Sequence, residues 1–202
     1  MRQILPLVLS FLIVVAASPA LADQPGADIP ANDRRMPFEK GTVEISVLGG
    51  ATIPTSLFRS NADHQLAMAS LVIGRVMAGS QGKGSLELLV DVTPFFQVRQ
   101  PQVVRGWSTA PLFIRWNFPA LDVARIYGEV SGSLLFTTAP VPARTTTFNF
   151  MDQAGFGIRL EESHGRAWLV GYRFQHISNG GRVKPNPGAN FNLIYLGISF
   201  LR

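Results

Sequence analysis

His176 and Ser178 are the residues of this chain whose types and spacing best suit covalent chemistry. They lie in its densest polar stretch, Tyr172-Arg173-Phe174-Gln175-His176-Ile177-Ser178-Asn179-Gly180-Gly181-Arg182-Val183-Lys184-Pro185-Asn186-Pro187-Gly188-Ala189-Asn190. On a strand, residues two apart share a face, with Cα atoms about 6–7 Å apart. A neutral imidazole can take the serine proton, and the alkoxide can then attack an ester carbonyl. Side-chain amides or backbone N–H groups of a Gly- and Asn-rich loop can hold the resulting oxyanion. Taken alone, a His-x-Ser pair is more simply two polar residues where a strand ends, with Asn-Gly-Gly as the turn. The chain has no Cys, which excludes disulfides, zinc thiolates and Cys nucleophiles. Its three His residues are scattered at 64, 164 and 176, so no metal ligand set is expected. No Gly-rich phosphate loop stands in a strand–helix context, and no cofactor is implied.

The elements that must position the pair are strands. From Gly41 onward apolar residues recur with period 2 rather than 3.6. Glycines and prolines punctuate eight predicted strands, 41–52, 65–77, 85–97, 110–118, 124–138, 147–161, 165–178 and 189–201. One face of the third carries Leu86, Leu88, Val90, Val92 and Phe96, against Glu87, Asp91 and Thr93. The fourth sets Leu112, Ile114, Trp116 and Phe118 against Arg115 and Asn117. The fifth sets Ile126, Val130, Leu134 and Phe136 against Arg125, Glu129, Ser131 and Ser133. The seventh sets Trp168, Val170, Tyr172 and Phe174 against Arg173 and Gln175.

Composition selects between the two barrels that such strands can form. With 47% hydrophobic and 15% charged residues, the chain is neither disordered nor a nucleic-acid-binding arm. Lys+Arg number 18 against 13 Asp+Glu, yet only Lys40, Lys83 and Lys184 are lysines. Arginine suits polar interiors and forked contacts to carboxylate or phosphate, whereas a soluble barrel more often wears Lys and Glu outside. Arg2 precedes an apolar run, Leu5 to Ala17, which ends in Ala20-Leu21-Ala22, a signal-peptidase pattern. Residues 1–22 are therefore an export signal, 23–40 a solvated lead-in, and 41–202 the barrel. The expected fold is all-β, an eight-stranded antiparallel up-and-down transmembrane β-barrel. Its apolar face meets lipid and its charges of both signs pair inside. Expected outer loops are 53–64, 98–109, 139–146 and 179–188; inner turns are 78–84, 119–123 and 162–164.

Parity then fixes which way the chemistry points. His176 and Ser178 continue the apolar face of Trp168, Val170, Tyr172 and Phe174, so both look outward. From Trp168 to Ser178 a strand tilted near 40° climbs roughly 25 Å, about the whole apolar band. The pair should stand at the outer rim, level with lipid head groups.

His176-x-Ser178-Asn179, followed by Pro185-Asn186-x-Gly188-x-Asn190 and by Gly197 and Phe200, resembles the lipid A 3-O-deacylase (PagL-like, acyloxyacyl hydrolase) family of outer-membrane enzymes. The motif spans about residues 171–200, and the strands and export signal are compatible with it along the rest. The resemblance implies a bacterial outer-membrane location and a cofactor-free serine esterase. The enzyme would remove an ester-linked acyl chain from lipid A of lipopolysaccharide, working as a monomer or homodimer. It implies Ser178 as nucleophile, His176 as base, Asn186 as oxyanion-hole donor with Asn179 as supporter, and Asn190 as the third triad member. The family has Glu at that third position. An amide can orient an imidazole but adds no charge, and acid-to-amide changes in serine triads can cost about 10⁴ in rate. Asp152 is a candidate supporting acid: Phe148, Phe150, Asp152 and Phe156 share an apolar face, and simple register across the 162–164 turn sets Asp152 opposite residues 174–176. A bulge turning Asp152 inward is the alternative. Arg59, Arg99, Arg105, Arg144, Arg182 and Lys184 fall in expected outer loops, where they would meet lipid A phosphates or serve as ordinary loop charge. The alternative function is a catalytically silent barrel that binds lipopolysaccharide or is structural.

Overall fold

The computed structural model describes residues 39–202, apart from 54, 56, 60–63, 81, 82 and 122. The export signal, and the lead-in as far as residue 38, lie outside the described residues. Eight strands follow: β1 (Val43–Thr52), β2 (Gln65–Ser80), β3 (Gly84–Gln100), β4 (Gln102–Asn117), β5 (Ala124–Thr137), β6 (Phe148–Glu161), β7 (Arg166–Ser178) and β8 (Ala189–Leu201). Each pairs antiparallel with its chain neighbours, and β1 pairs with β8, so the sheet closes into a barrel. Closure leaves no sheet edge with unpaired N–H and C=O groups, as hydrocarbon requires.

The period-2 pattern sorts side chains onto two walls. Ile73, Leu88, Val90, Leu112, Ile114, Phe156, Ile158 and Ile194 are exposed on the outer wall. Glu44, Glu87, Asp91, Arg115, Glu129, Arg159 and Arg173 are buried inside. Apolar outside and charged inside is the arrangement for lipid. The interior charges neutralise one another. Arg115 reaches Glu44 at 2.9 Å, Glu129 at 3.2 Å and Glu87 at 3.6 Å. Arg173 reaches Glu129 at 2.6 Å and Asp91 at 3.4 Å, and Arg159 pairs with Glu44. Tyr127 and Tyr195 bridge the lumen hydroxyl to hydroxyl at 2.7 Å. Toward the loop end the interior turns apolar, with Leu66, Phe96, Val98, Leu135, Met151, Ile177 and Phe191 closing it as a plug.

Two sequence expectations are corrected. Residues 98–109 are strand, not an outer loop: the β3–β4 ladder runs on through Gln97↔Arg105, Val98↔Val104 and Arg99↔Val103 to a tight turn at Pro101. Arg99 and Arg105 therefore belong to strands. Phe96 is fully buried and Phe95 is exposed, the reverse of strict alternation. The register shifts between Thr93 and Phe96, where Pro94, which has no N–H to give the ladder, sits in a bulge. A bulge adds one residue and flips the phase beyond it, which also disguised residues 98–109 as irregular. The register shifts again between Thr109 and Leu112 in β4; the faces named for the fourth, fifth and seventh strands alternate as expected, and the 3₁₀ turn Ser163–Gly165 separates β6 from β7.

Candidate active site

β6, β7 and β8 carry the polar residues of the outer rim. Their register shows no shift, so side chains fall in rows. Asp152 lies opposite His176, and His176 lies opposite Asn190; one step nearer the loops, Phe150 lies opposite Ser178. All of these alternate with the inward-facing Met151, Ile177, Ala189 and Phe191, which are buried in the apolar plug. The site is thus backed by close-packed side chains on three paired strands, a rigid platform.

His176 Nδ1 lies 2.6 Å from Asn190 Oδ1. The same carboxamide donates from Nδ2 to the backbone carbonyl of Phe58, at 2.8 Å. Ser178 stands two residues beyond His176 on the same face; its hydroxyl makes no hydrogen bond among the described residues. Catalytic pairs often close only when substrate arrives. Asp152 is exposed on the outer wall, with no bulge turning it inward. Its carboxylate makes no hydrogen bond to His176 among the described residues; an oxygen lies near Gly132, on the side away from the imidazole.

The 179–188 loop is held by its own amides. Asn179 is buried, donating to Val183 O at 2.8 Å and accepting from Gly181 N–H at 2.9 Å. Its backbone N–H donates to Asn186 Oδ1 at 3.1 Å. That bond engages the oxygen end of Asn186 and leaves its NH₂ end as the donor. Arg182 donates to Asn179 O and Phe148 O, each at 3.1 Å, and lies over the Phe148 ring at 4.5 Å. Its guanidinium therefore braces the loop.

Gly188 is where the loop meets His176. Its φ is +67°, which favours glycine, and an added Cβ would stand 2.7 Å from His176 Cε1. Gly188→Ala should displace the imidazole while leaving the distant lumen network intact. The expected result is a loss of about 100-fold in turnover, as for other small misplacements of a reacting group. Turnover measured beside the heat-dependent gel shift of the folded barrel checks it; a fully active Gly188→Ala would refute the contact.

Below the His176 row, a groove of about 270 Å³ runs down the outer wall, lined by Phe58, Ala154, Gly155, Phe156, Tyr172 and Phe174. Ala154 and Gly155 are small, so the floor is low between the aromatic sides. Phe58 comes from the 3₁₀ turn Leu57–Arg59 in the loop after β1, folded down against the wall. Its ring meets Phe174 edge-on at 5.4 Å, and Asn192 donates to Leu57 O at 3.0 Å. Sequence reasoning missed this strap. The adjacent apolar pair Leu57-Phe58 in the 53–64 loop is the local hint of it.

Comparison with known proteins places the fold and the family. No curated protein matches the chain by sequence. Among solved structures it is similar to the outer membrane enzyme PagL, with a TM-score of 0.57 and 19% identity, over 78% of this chain and 98% of that one. It is also similar to the N-terminal β-barrel domain of Pseudomonas aeruginosa OprF, with a TM-score of 0.53 and 16% identity, over 81% of this chain and 98% of that one. These likenesses bear on the fold, an outer-membrane barrel. The family model for lipid A 3-O-deacylase (PagL) matches residues 83–199, more than half of the chain and all of β3 to β7. The chain therefore belongs to the lipid A 3-O-deacylase (PagL) family, as a barrel of the bacterial outer membrane.

Proposed function

We propose that the protein is a serine esterase that hydrolyses the 3-O-linked acyl ester of lipid A in the outer membrane. The observation that carries the reading is the outward row Asp152–His176–Asn190, with Ser178 beside it, at the head of an apolar groove. Lipid A is an amphiphile: its sugar lies at head-group level and its chains run down into hydrocarbon. A site with polar groups at the rim and a groove descending the wall fits that shape, and all of it lies within one chain, so a monomer suffices.

In this mechanism the acyl chain lies in the groove and its ester meets Ser178. With Nδ1 engaged by Asn190, His176 Nε2 takes the Ser178 proton as Oγ attacks the carbonyl carbon. Asn186 Nδ2 donates to the oxyanion, and Asn179 holds Asn186 in that pose. His176 then protonates the departing sugar oxygen, and water, activated by the same nitrogen, releases the fatty acid from Ser178. Asp152 supports the imidazolium by charge from across the strand pair, where directly opposed side chains have Cβ atoms about 5 Å apart. Asp152→Asn should lower turnover about tenfold with little change in KM. An unchanged rate would remove Asp152 from the mechanism.

Mass spectrometry of lipid A tests the activity. Expression in a host whose lipid A retains its 3-O chains should yield a species lighter by one hydroxyacyl group. Unchanged lipid A, with folded protein in the outer membrane, would favour a silent barrel, the outcome an amide at position 190 makes plausible on charge alone.

A further inference from the structure

A carboxamide is asymmetric, since one end only accepts hydrogen bonds and the other only donates. Asn190 uses both ends. The Phe58 carbonyl can only accept, so the NH₂ end must face it, as it does at 2.8 Å. The oxygen end is thereby turned to His176 Nδ1 at 2.6 Å. An oxygen acceptor there requires the proton on Nδ1, and a neutral imidazole carries one N–H, so the lone pair stands on Nε2. With the amide reversed, the NH₂ would press on Nδ1, the proton would sit on Nε2, and no base would face Ser178. An Asn side chain has no intrinsic preference between the two orientations; its neighbours decide.

We propose that the backbone carbonyl of Phe58 sets the tautomer of His176 through Asn190, making the Leu57–Arg59 turn a positioning part of the site. The inference rests on the reading of His176 as base. The loop is held for this task by Asn192 on Leu57 O and by the Phe58–Phe174 ring contact. Phe58 also lines the groove, so one residue touches both the acyl path and the relay to the base. A carboxylate at 190 would behave differently: both of its oxygens accept, so it demands an Nδ1 proton with or without the loop.

The ¹⁵N resonances of His176, in the full-length barrel in detergent micelles at a pH where the ring is neutral, distinguish the tautomers directly. The protein as it stands should show the Nδ1–H form. Asn192→Ala, which frees Leu57, and Phe58→Pro, whose ring forbids the φ of +55° found there, should each admit the Nε2–H form and lower kcat about tenfold or more. In an Asn190→Asp background neither change should alter the tautomer. Nδ1–H in every variant, or the same tautomer shift in the Asp background as in the Asn one, would overturn the proposal. A protein that leaves lipid A intact yet shows the expected tautomer changes would overturn the esterase reading and keep the relay; an active enzyme whose tautomer and kcat ignore both loop changes would do the reverse.

Discussion

Ser178→Ala is expected to leave lipid A with its full set of acyl chains. In the proposed mechanism the serine oxygen is the only protein atom that bonds to the acyl carbon, and its loss removes the acyl-enzyme route entirely. Removing the nucleophile from a serine triad typically costs about 10⁴-fold or more, the residue of rate coming from binding and the oxyanion site. The change deletes one exposed-wall hydroxyl that holds no hydrogen bond among the described residues, so the barrel should fold as before. Mass spectrometry of lipid A, with the folded band on an unheated gel as control, reads both facts at once. Residual deacylation near the parent rate in folded Ser178→Ala would place the nucleophile elsewhere.

The second large effect is on folding. Arg115→Met should prevent most of the chain from reaching the closed barrel. Arg115 is buried and lies within 4 Å of three carboxylates, Glu44, Glu129 and Glu87. Its guanidinium also lies over the Tyr127 ring at 4.8 Å. Methionine fills part of the volume but leaves buried Glu87 without its arginine partner, and takes from Glu44 and Glu129 one of their two, Arg159 and Arg173 being the ones that stay. Breaking a buried ion pair by removing one partner costs about 3–5 kcal/mol, a large share of the roughly 5–15 kcal/mol that holds a domain folded. Arg166→Met is the contrast. Its partner Glu162 is 3.4 Å away, and both side chains are about half exposed, 46% and 40%. Such a pair is worth less than about 1 kcal/mol. Urea titration in detergent should separate the two variants clearly; equal midpoints would mean that the lumen network adds nothing to stability.

The amide at position 190 links these expectations to the site. Read as a triad member by type alone, Asn190 is a neutral stand-in for an acid, able to orient the imidazole but adding no charge. Read in place, it is a two-ended connector whose second end is occupied by a loop carbonyl 132 residues away. With the orienting role assigned to Asn190, the proposed mechanism takes its charge from Asp152, which lies opposite His176.

Much of this protein is written in local order. Alternation with period 2 placed Leu112, Ile114 and Trp116 outside and Arg115 and Asn117 inside, because a pleated strand sends successive side chains to opposite faces. The same parity turned His176 and Ser178 to the outer wall, and the short turn at 163–165 let the β6–β7 register be counted from sequence, so Asp152 meets His176. What sequence alone left undecided lies where local rules end. The bulge at Pro94 resets the phase of β3, and hence the side on which Phe96 lies, through a mismatch with a neighbouring strand that period counting within one strand does not contain. The descent of Leu57 and Phe58 onto Asn192 and Asn190 joins the two ends of the barrel strand order through backbone carbonyls. A carbonyl is the same in every residue, so no residue type announces that contact; only the closing of β8 against β1 brings the two segments together.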